Sequence, residues 1–206
     1  MSAQKVFASI EFKPNSDDLG LEKVGVRTTE QGHIAIDERM ATAVPHIYAI
    51  GDVTGKIGLA HGASAQGMIA AEVIARRPTS VLDYTKIPRC TYCDPEVASV
   101  GLGEKQARDI GYEVVASRCP FAGNGKSLAM DDNFGFVKIV AEKKSRRVLG
   151  VHIIGEHVTE LIAGPSGMMN PRCTAEDQAR TVHPHPTVSE VIMEAAHALL
   201  GHGIHA

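Results

Sequence analysis

Hydrophobic and polar positions in the first half of the chain predict short strands followed by a helix. Apolar runs bounded by turn-forming residues are typical of strands, and they occur at residues 6–10, 33–36 and 47–50. Residues 59–77 place apolar side chains at helical spacing, and Pro78 is expected to end that helix. The segment from Tyr84 to Pro88 then marks a domain boundary. Because no earlier segment can pair with the strand at residues 6–10, we expect the sequence to be part of a longer protein.

The second half of the chain predicts a sheet with flanking helices. We expect strands at residues 97–102, 112–116, 134–141 and 148–154. The charged run at residues 142–147 is the expected turn of a hairpin between the last two strands. A short helix is predicted at residues 104–110. Another helix begins near Glu156, and Gly164–Gly167 together with Pro171 interrupt it.

Composition describes an ordinary globular protein and excludes several classes of partner. The chain has 206 residues, of which 44% are hydrophobic and 22% charged, so it can bury a core without disulfides. A net charge of −3 gives no electrostatic basis for binding nucleic acid or an anionic membrane surface. No apolar run reaches the length of a membrane span, and four cysteines in a chain of this length indicate an intracellular protein. We therefore expect a cytoplasmic protein, or one of the mitochondrial matrix if the source is eukaryotic.

The segment His183–Glu190 carries the most informative chemistry. Thr187 begins the last predicted helix, which ends at Gly201, and Glu190 follows Thr187 at the spacing of a capping box. The Glu190 carboxylate would then also lie near the imidazole of His185, which a cis peptide before Pro186 would hold in place. A carboxylate that fixes one ring nitrogen makes a histidine a better general base. The spacing leaves two interpretations open, a plain helix cap and an acid–base dyad of His185 and Glu190.

Further motifs extend along nearly the whole chain. They are Lys13–Asn15 with Leu19–Glu22, Val44–Val53, Leu59–His61, Pro95–Gly101, Ala122–Met130 and Gly150–Gly155. Together with the His183–Glu190 segment, these motifs resemble, in the same order, the C-terminal part of the flavin-dependent pyridine nucleotide–disulfide oxidoreductases. Within that family, the His183–Glu190 segment is most similar to the dihydrolipoamide dehydrogenases.

The resemblance implies an α/β fold in three parts. Residues 1–27 would end an NAD-binding domain, and residues 28–85 would be the C-terminal piece of an FAD-binding domain. Residues 86–206 would form an α+β interface domain, with a mixed or antiparallel sheet packed by helices. In this family the interface domain makes a homodimer.

The resemblance also implies roles for individual residues. Asp52 would hydrogen-bond the ribityl hydroxyls of FAD. Backbone N–H groups of Leu59, Ala60 and His61 would face the pyrimidine edge of the flavin, where a helix N-terminus favours negative charge. The dyad would take a proton from a dihydrolipoyl thiol and would serve the flavin and redox disulfide of the other subunit. The complete enzyme would use FAD and NAD to reoxidise dihydrolipoamide on the lipoyl domains of 2-oxo acid dehydrogenase or glycine cleavage complexes.

Two hallmarks of the family are missing from this sequence. It contains no G-x-G-x-x-G turn for either nucleotide and no closely spaced redox pair of cysteines near its start. Glu11 stands in place of a glycine, and Gly164–Cys173 replaces a continuous Ala-rich helix. We therefore expect the chain to be inactive alone. A non-catalytic dimerisation or assembly module, or another disulfide reductase such as glutathione reductase, are the alternatives.

Two other motifs are weaker. Cys90 and Cys93 form a C-x-x-C, but they precede a predicted strand rather than a helix, and no second pair supplies zinc ligands. Gly125–Ser127 resembles the end of a phosphate-binding loop, but Pro120 stands where that loop needs its first glycine. We expect no metal or redox site at the C-x-x-C motif and no phosphate-binding loop at Gly125–Ser127.

Overall fold

The computed structural model describes residues 2–10, 12–169 and 172–204. The chain divides into two compact units, Met1–Tyr84 and Thr85–Ala206. The division falls at the start of the segment that the sequence marked as a domain boundary. Glu11, one of the departures from the family pattern, lies outside the described residues.

The first unit is built around one long helix rather than a sheet. Helix α1 spans Ala60–Ile74, and 3-10 helices span Leu21–Val24 and Asp52–Thr54. The helix ends before Pro78, because Arg76 adopts left-handed backbone angles and its N–H bonds the carbonyl of Val73. The strands predicted at residues 33–36 and 47–50 are reduced to single bridges, which pair Thr28 with Ile34 and Ala41 with Tyr48.

The strand predicted at residues 6–10 is wrong. The segment has no regular structure, and its large apolar side chains, Val6, Phe7 and Ile10, are each at least 89% exposed. An extended segment becomes a strand only where a neighbouring backbone offers hydrogen bonds, and none of the described residues pairs with this one. Strand propensity without a pairing partner therefore leaves the segment irregular.

The second unit contains a five-stranded antiparallel sheet. Its strands are β1 Arg89–Thr91, β2 Glu96–Gly101, β3 Val114–Pro120, β4 Phe136–Glu142 and β5 Val148–Gly155. Their order is β1-β2-β5-β4-β3, and every neighbouring pair is antiparallel. The predicted β4–β5 hairpin is confirmed, whereas β3 lies further along the chain than residues 112–116 and β1 was not predicted.

Helices cover this sheet and close its core. They are α2 Glu104–Asp109, α3 Gly125–Ala129, α4 Val158–Leu161, α5 Ala163–Gly167, α6 Ala175–Arg180 and α7 Glu190–Leu199, with 3-10 turns at Tyr84–Lys86 and Phe121–Gly123. Helix α7 packs against β3, β4 and α6. It buries Val191, Ile192, Ala195 and Leu199, and a buried Val, Ile or Leu side chain stabilises a fold by about 1.5–3 kcal/mol. The helix predicted from Thr187 to Gly201 is therefore present, although it begins at Glu190.

The interruption predicted after Glu156 takes a different form. Gly164–Gly167 were expected to break the helix, but they lie within α5. Pro165 occupies the first turn of α5, where a missing N–H costs no intrahelical bond. The division between α4 and α5 falls at Ile162 instead. Pro171, the second expected breaker, lies outside the described residues.

Among the described residues, every helix is too short or too polar to span a membrane. The longest helix there, α1, has 15 residues.

Candidate functional site

The loop before α7 brings two of the predicted site residues together. Nδ1 of His185 lies 3.0 Å from Oε1 of Glu190. The other carboxylate oxygen, Oε2, accepts the backbone N–H of Thr187 at 2.9 Å. The peptide between His185 and Pro186 is cis. The contact expected from the sequence spacing is therefore present.

Glu190 serves the helix and the histidine at the same time. One half of the predicted capping box forms, because Glu190 accepts the Thr187 N–H. The Thr187 hydroxyl instead donates to the carbonyl of Pro184 at 2.7 Å, and the helix begins at Glu190 rather than at Thr187. Since the two carboxylate oxygens face two different donors, one side chain makes both the helix-cap contact and the imidazole contact.

Hydrogen bonding keeps the Glu190 carboxylate charged. The Thr187 N–H contributes most and the His185 ring next, and together they hold the pKa of Glu190 below its ordinary value of 4.5, against the opposing effect of burial. The Glu190 side chain is 19% exposed, whereas that of His185 is 81% exposed. A carboxylate at Nδ1 favours the tautomer with the proton on Nδ1. Neutral His185 then has an unprotonated Nε2 that can accept a proton.

A cleft of about 280 Å³ opens beside this pair. Its walls come from the end of β3, the start of α3 and the first turns of α7, and they comprise Cys119, Pro120, Gly123, Asn124, Gly125, His185, Glu190, Val191, Met193 and Glu194. Burial, and then the charge of Glu194, raise the pKa of the Cys119 thiol to about 11. Cys119 is therefore a neutral thiol at physiological pH and not a nucleophile.

Asn124 is a residue of this cleft that the sequence did not identify as a site residue. Its Oδ1 accepts the N–H and the hydroxyl of Ser127 at 2.9 and 3.0 Å. Its Nδ2 donates to the carbonyl of Thr187 at 3.1 Å. An asparagine three residues before Ser127 is typical of a helix N-cap and can be recognised in the sequence. No local pattern, however, predicts that Asn124 bonds Thr187, which lies 63 positions away.

The residues expected to contact FAD lie in the first unit. Asp52 is exposed and begins the 3-10 helix Asp52–Thr54. Leu59 is the N-cap residue of α1, and Ala60 and His61 are its first two residues. The first turn of a helix directs backbone N–H groups and the positive end of the helix dipole toward one place. The predicted residues thus combine one carboxylate with one helix N-terminus.

A buried glutamine ties the Asp52 turn to α1. Gln66 is fully buried, its Oε1 accepts the Gly51 N–H at 2.6 Å, and its Nε2 donates to the Tyr84 hydroxyl at 2.9 Å. Gly51 has a φ of 76°, and a β-carbon there would lie 3.4 Å from the Ala63 side chain, so glycine suits this close approach. An acceptor for hydroxyls beside donors for carbonyl oxygens fits a ribityl chain and a pyrimidine ring. Gln66 was not among the residues predicted from the sequence, because its partners Gly51 and Tyr84 lie 15 and 18 positions away.

Neither weaker motif forms the structure that its chemistry needs. Cys90 and Cys93 are free thiols, and Cys90 lies in β1, where burial raises its pKa. Within residues 2–10, 12–169 and 172–204, no three His, Cys, Asp or Glu side chains group as ligands for a metal ion. Gly125–Ser127 are the first residues of α3, capped by Asn124, and not a phosphate-binding loop.

Comparison with known proteins finds relatives for the whole chain. Residues 87–196 match the family model described as pyridine nucleotide-disulphide oxidoreductase, dimerisation domain, and residues 1–67 match that of pyridine nucleotide-disulphide oxidoreductase. A dihydrolipoyl dehydrogenase of Mycobacterium leprae is 50% identical over 205 residues, which cover 99% of this chain and 44% of the relative. That of Geobacillus stearothermophilus is 44% identical, over 100% of this chain and 43% of the relative. The chain therefore spans less than half the length of these curated relatives.

Solved structures share the fold. LpdA from Mycobacterium tuberculosis is similar with a TM-score of 0.85 at 28% identity, over 90% of this chain and 40% of that one. The HOCl-induced flavoprotein disulfide reductase RclA from Escherichia coli has a TM-score of 0.82 at 24% identity, over 89% of this chain and 42% of that one. The second likeness shows the fold alone. Together with the family matches, these structures confirm the predicted α/β fold with its antiparallel sheet and helices.

Proposed function

The chain belongs to the pyridine nucleotide-disulphide oxidoreductases, and on that basis we propose that it is the C-terminal part of a dihydrolipoyl dehydrogenase. The complete enzyme would oxidise the two thiols of dihydrolipoamide to a disulfide, pass a hydride equivalent to NAD⁺ and release one proton. FAD, when bound, would carry the electrons from the dithiol to the nicotinamide. Relatives named dihydrolipoyl dehydrogenase at 42–50% identity support this choice of substrate.

The observation that carries the proposal is the 3.0 Å contact between Nδ1 of His185 and Oε1 of Glu190. With the proton held on Nδ1, Nε2 of His185 can take a proton from a thiol and return it later. The thiol then becomes the thiolate that attacks a disulfide. His185 would be the base, and Glu190 would orient the ring and stabilise its charged form.

The redox disulfide itself would come from outside this sequence, which has no suitable cysteine pair. The match of residues 87–196 to the dimerisation domain of the family supports a homodimer. We infer that His185 would serve the flavin and disulfide of the partner subunit. Lipoyl domains of 2-oxo acid dehydrogenase or glycine cleavage complexes would deliver the dithiol, in the cytoplasm or the mitochondrial matrix.

The first unit would supply part of the flavin site. Asp52 would accept hydrogen bonds from the ribityl hydroxyls, and the first turn of α1, from Leu59 to His61, would donate to the pyrimidine oxygens. In this proposal residues 1–27 end the NAD-binding domain, residues 28–85 complete the FAD-binding domain, and residues 86–206 form the interface domain. The exposed carboxylate and the helix N-terminus described above support the assignment.

A chimera tests the proposed role of His185. This chain would replace the matching segment of the Mycobacterium leprae enzyme, to which it is 50% identical, and reduction of NAD⁺ by dihydrolipoamide would be followed. We expect the chimera to be active. Replacing His185 with Gln is expected to lower kcat by about 100-fold or more, because general acid–base catalysis contributes at least that much. Glu190→Gln is expected to lower kcat less, since the base itself remains.

The matched control is His183→Gln. Nδ1 of His183 donates to the carbonyl of Thr181 at 2.9 Å, so this ring has a different partner from that of His185. We expect the control to keep nearly the full kcat of the chimera. A His185→Gln chimera as active as the control would show that another group accepts the proton.

A non-catalytic dimerisation module is the second candidate. It is favoured by the dimerisation-domain match, which covers more than half of the chain. Activity of the chimera described above separates the two. Turnover of dihydrolipoamide by the chimera would favour the enzyme part, whereas a folded, dimeric chimera without turnover would favour the module.

A further inference from the structure

Residues 183–189, here called the dyad loop, bond mainly to one another and to their near neighbours. The Thr187 hydroxyl contacts the Pro184 carbonyl at 2.7 Å and the Ser189 hydroxyl at 2.8 Å. Among the hydrogen bonds of the described residues, the one from Nδ2 of Asn124 to the Thr187 carbonyl, at 3.1 Å, reaches the loop from a segment distant in sequence. Since the His185 side chain is 81% exposed, packing does little to hold its ring. The position of the ring depends on these bonds.

The orientation of the Asn124 amide follows from its partners. The backbone N–H of Ser127 can only donate, so the atom that it bonds must be the oxygen of Asn124. The carbonyl of Thr187 can only accept, so it must face the NH₂ group. Asn124 is also buried, with 9% of its surface exposed, and a buried polar group left without its partner is costly. Loss of the bond to Thr187 would therefore leave a buried amide group without its partner.

Thr187 passes this restraint on to the dyad. Its carbonyl accepts from Asn124, and its N–H donates to Oε2 of Glu190 at 2.9 Å. Oε1 of the same carboxylate contacts the ring of His185. We propose that Asn124 is a positioning residue that holds the Nδ1–H tautomer of His185 through Thr187 and Glu190. This inference rests on the proposed function of the dyad, and it gives the Ala122–Met130 motif a role beyond capping α3.

The imidazole tautomer of His185 in the purified chain, read from the ¹⁵N NMR shifts of the two ring nitrogens, tests the proposal. Asn124→Asp keeps an acceptor for Ser127 but removes the donor to Thr187, whereas Asn124→Ala removes both. We expect each variant to lower the ratio of Nδ1–H to Nε2–H tautomer by up to about fivefold, the factor for one neutral hydrogen bond. Ser127→Ala, which leaves the donor to Thr187 in place, is the matched control and should keep the wild-type ratio.

Measurements at low and high salt separate the effect of the negative charge introduced by Asn124→Asp from the effect of losing the donor to Thr187. Charge repulsion weakens as salt rises, while loss of a donor does not, so we expect the Asn124→Asp ratio to stay low in high salt. Recovery in high salt would overturn the proposal. So would a wild-type ratio in folded Asn124→Asp, because the bonds to Ser127 would then suffice.

Glu190→Gln distinguishes failure of this inference from failure of the proposed function. If that variant leaves the tautomer ratio unchanged, the dyad itself does not order the ring and both proposals fail. If it lowers the ratio while both Asn124 variants do not, the dyad stands and the positioning role of Asn124 is wrong.

Discussion

Replacing Glu190 with Gln should destabilise the second unit by about 1 kcal/mol at neutral pH, and this loss should disappear in acid. The carboxylate accepts two hydrogen bonds, one from the Thr187 N–H and one from Nδ1 of His185. An amide of the same shape has a single accepting oxygen and no charge. Glu190→Gln therefore weakens the bond to the Thr187 N–H and removes the acceptor for the Nδ1–H of His185. It opens no cavity.

The size of the loss follows from the two contacts. A hydrogen bond to a charged group contributes about 1.5–3 kcal/mol and a neutral one about 0.5–1.5 kcal/mol, so removing the charge at the Thr187 N–H costs about 1 kcal/mol. The contact with His185 adds little, because the histidine side chain is 81% exposed and exposed ion pairs contribute between about 0 and 1 kcal/mol. The Thr187 bond thus dominates.

The pH dependence has a definite sign. The pKa of Glu190 is lowered in the folded chain by the Thr187 N–H and then by His185. Its charged form therefore stabilises the fold above the ordinary carboxyl pKa of 4.5, and this contribution is lost as the pH falls through the lowered folded pKa. The stability difference between wild type and Glu190→Gln should be constant above that range and vanish below it.

Urea unfolding of the second unit measures this difference. Amide NMR signals of buried β4 and β5 residues report on this unit alone, which avoids mixing two units in one transition. Glu176→Gln is the matched control, because Glu176 also lies in the first turn of a helix, α6, and shares the favourable helix dipole. A Glu190→Gln loss that persists at low pH, or that equals the loss in Glu176→Gln, would refute this account of Glu190.

Two further predictions concern the sheet unit. Gly155→Ala should lower the urea midpoint of this unit far more than Gly111→Ala. Both glycines have positive φ, but only at Gly155 would the new β-carbon collide with the Phe121 ring. Equal shifts of the midpoint would contradict the close contact between Gly155 and Phe121. Exposed Cys93 should react with iodoacetamide at neutral pH much faster than buried Cys119, whose pKa is raised to about 11. Peptide mass spectrometry measures the extent of labelling at each cysteine. Similar rates would contradict the prediction, because they would show that the reagent reaches a Cys119 thiolate.

Local patterns predicted the β4–β5 hairpin and α7 because both depend on residues close in sequence. The β4–β5 hairpin needs only a charged turn and two apolar runs, and α7 needs only its apolar face and its first turn. Residues 6–10 have equal strand propensity, but strand formation depends on a pairing partner that none of the described residues supplies. The helix break expected at Pro165 was wrong for a related reason. A proline breaks a helix in its interior, and Pro165 lies in the first turn of α5.

The candidate site also contains one contact that the sequence predicted and others that it did not. His185 lies in the loop five residues before Glu190, the first residue of α7, so their spacing predicted their contact. Asn124 and Gln66 act across 63 and 15 positions of sequence, and no periodicity reports such distances. Their identification required the fold, because each bonds a backbone group whose neighbourhood is set by packing.

One carboxylate, that of Glu190, accepts the Thr187 N–H at the start of α7 and contacts the ring of the proposed base. The Thr187 N–H keeps Glu190 charged even before any thiol or flavin is present. A ring held at Nδ1 by a permanent charge needs no reorganisation when a proton arrives at Nε2. The proposed base is therefore set up by the second unit itself, so its tautomer can be measured in this chain, while turnover depends on groups supplied from elsewhere.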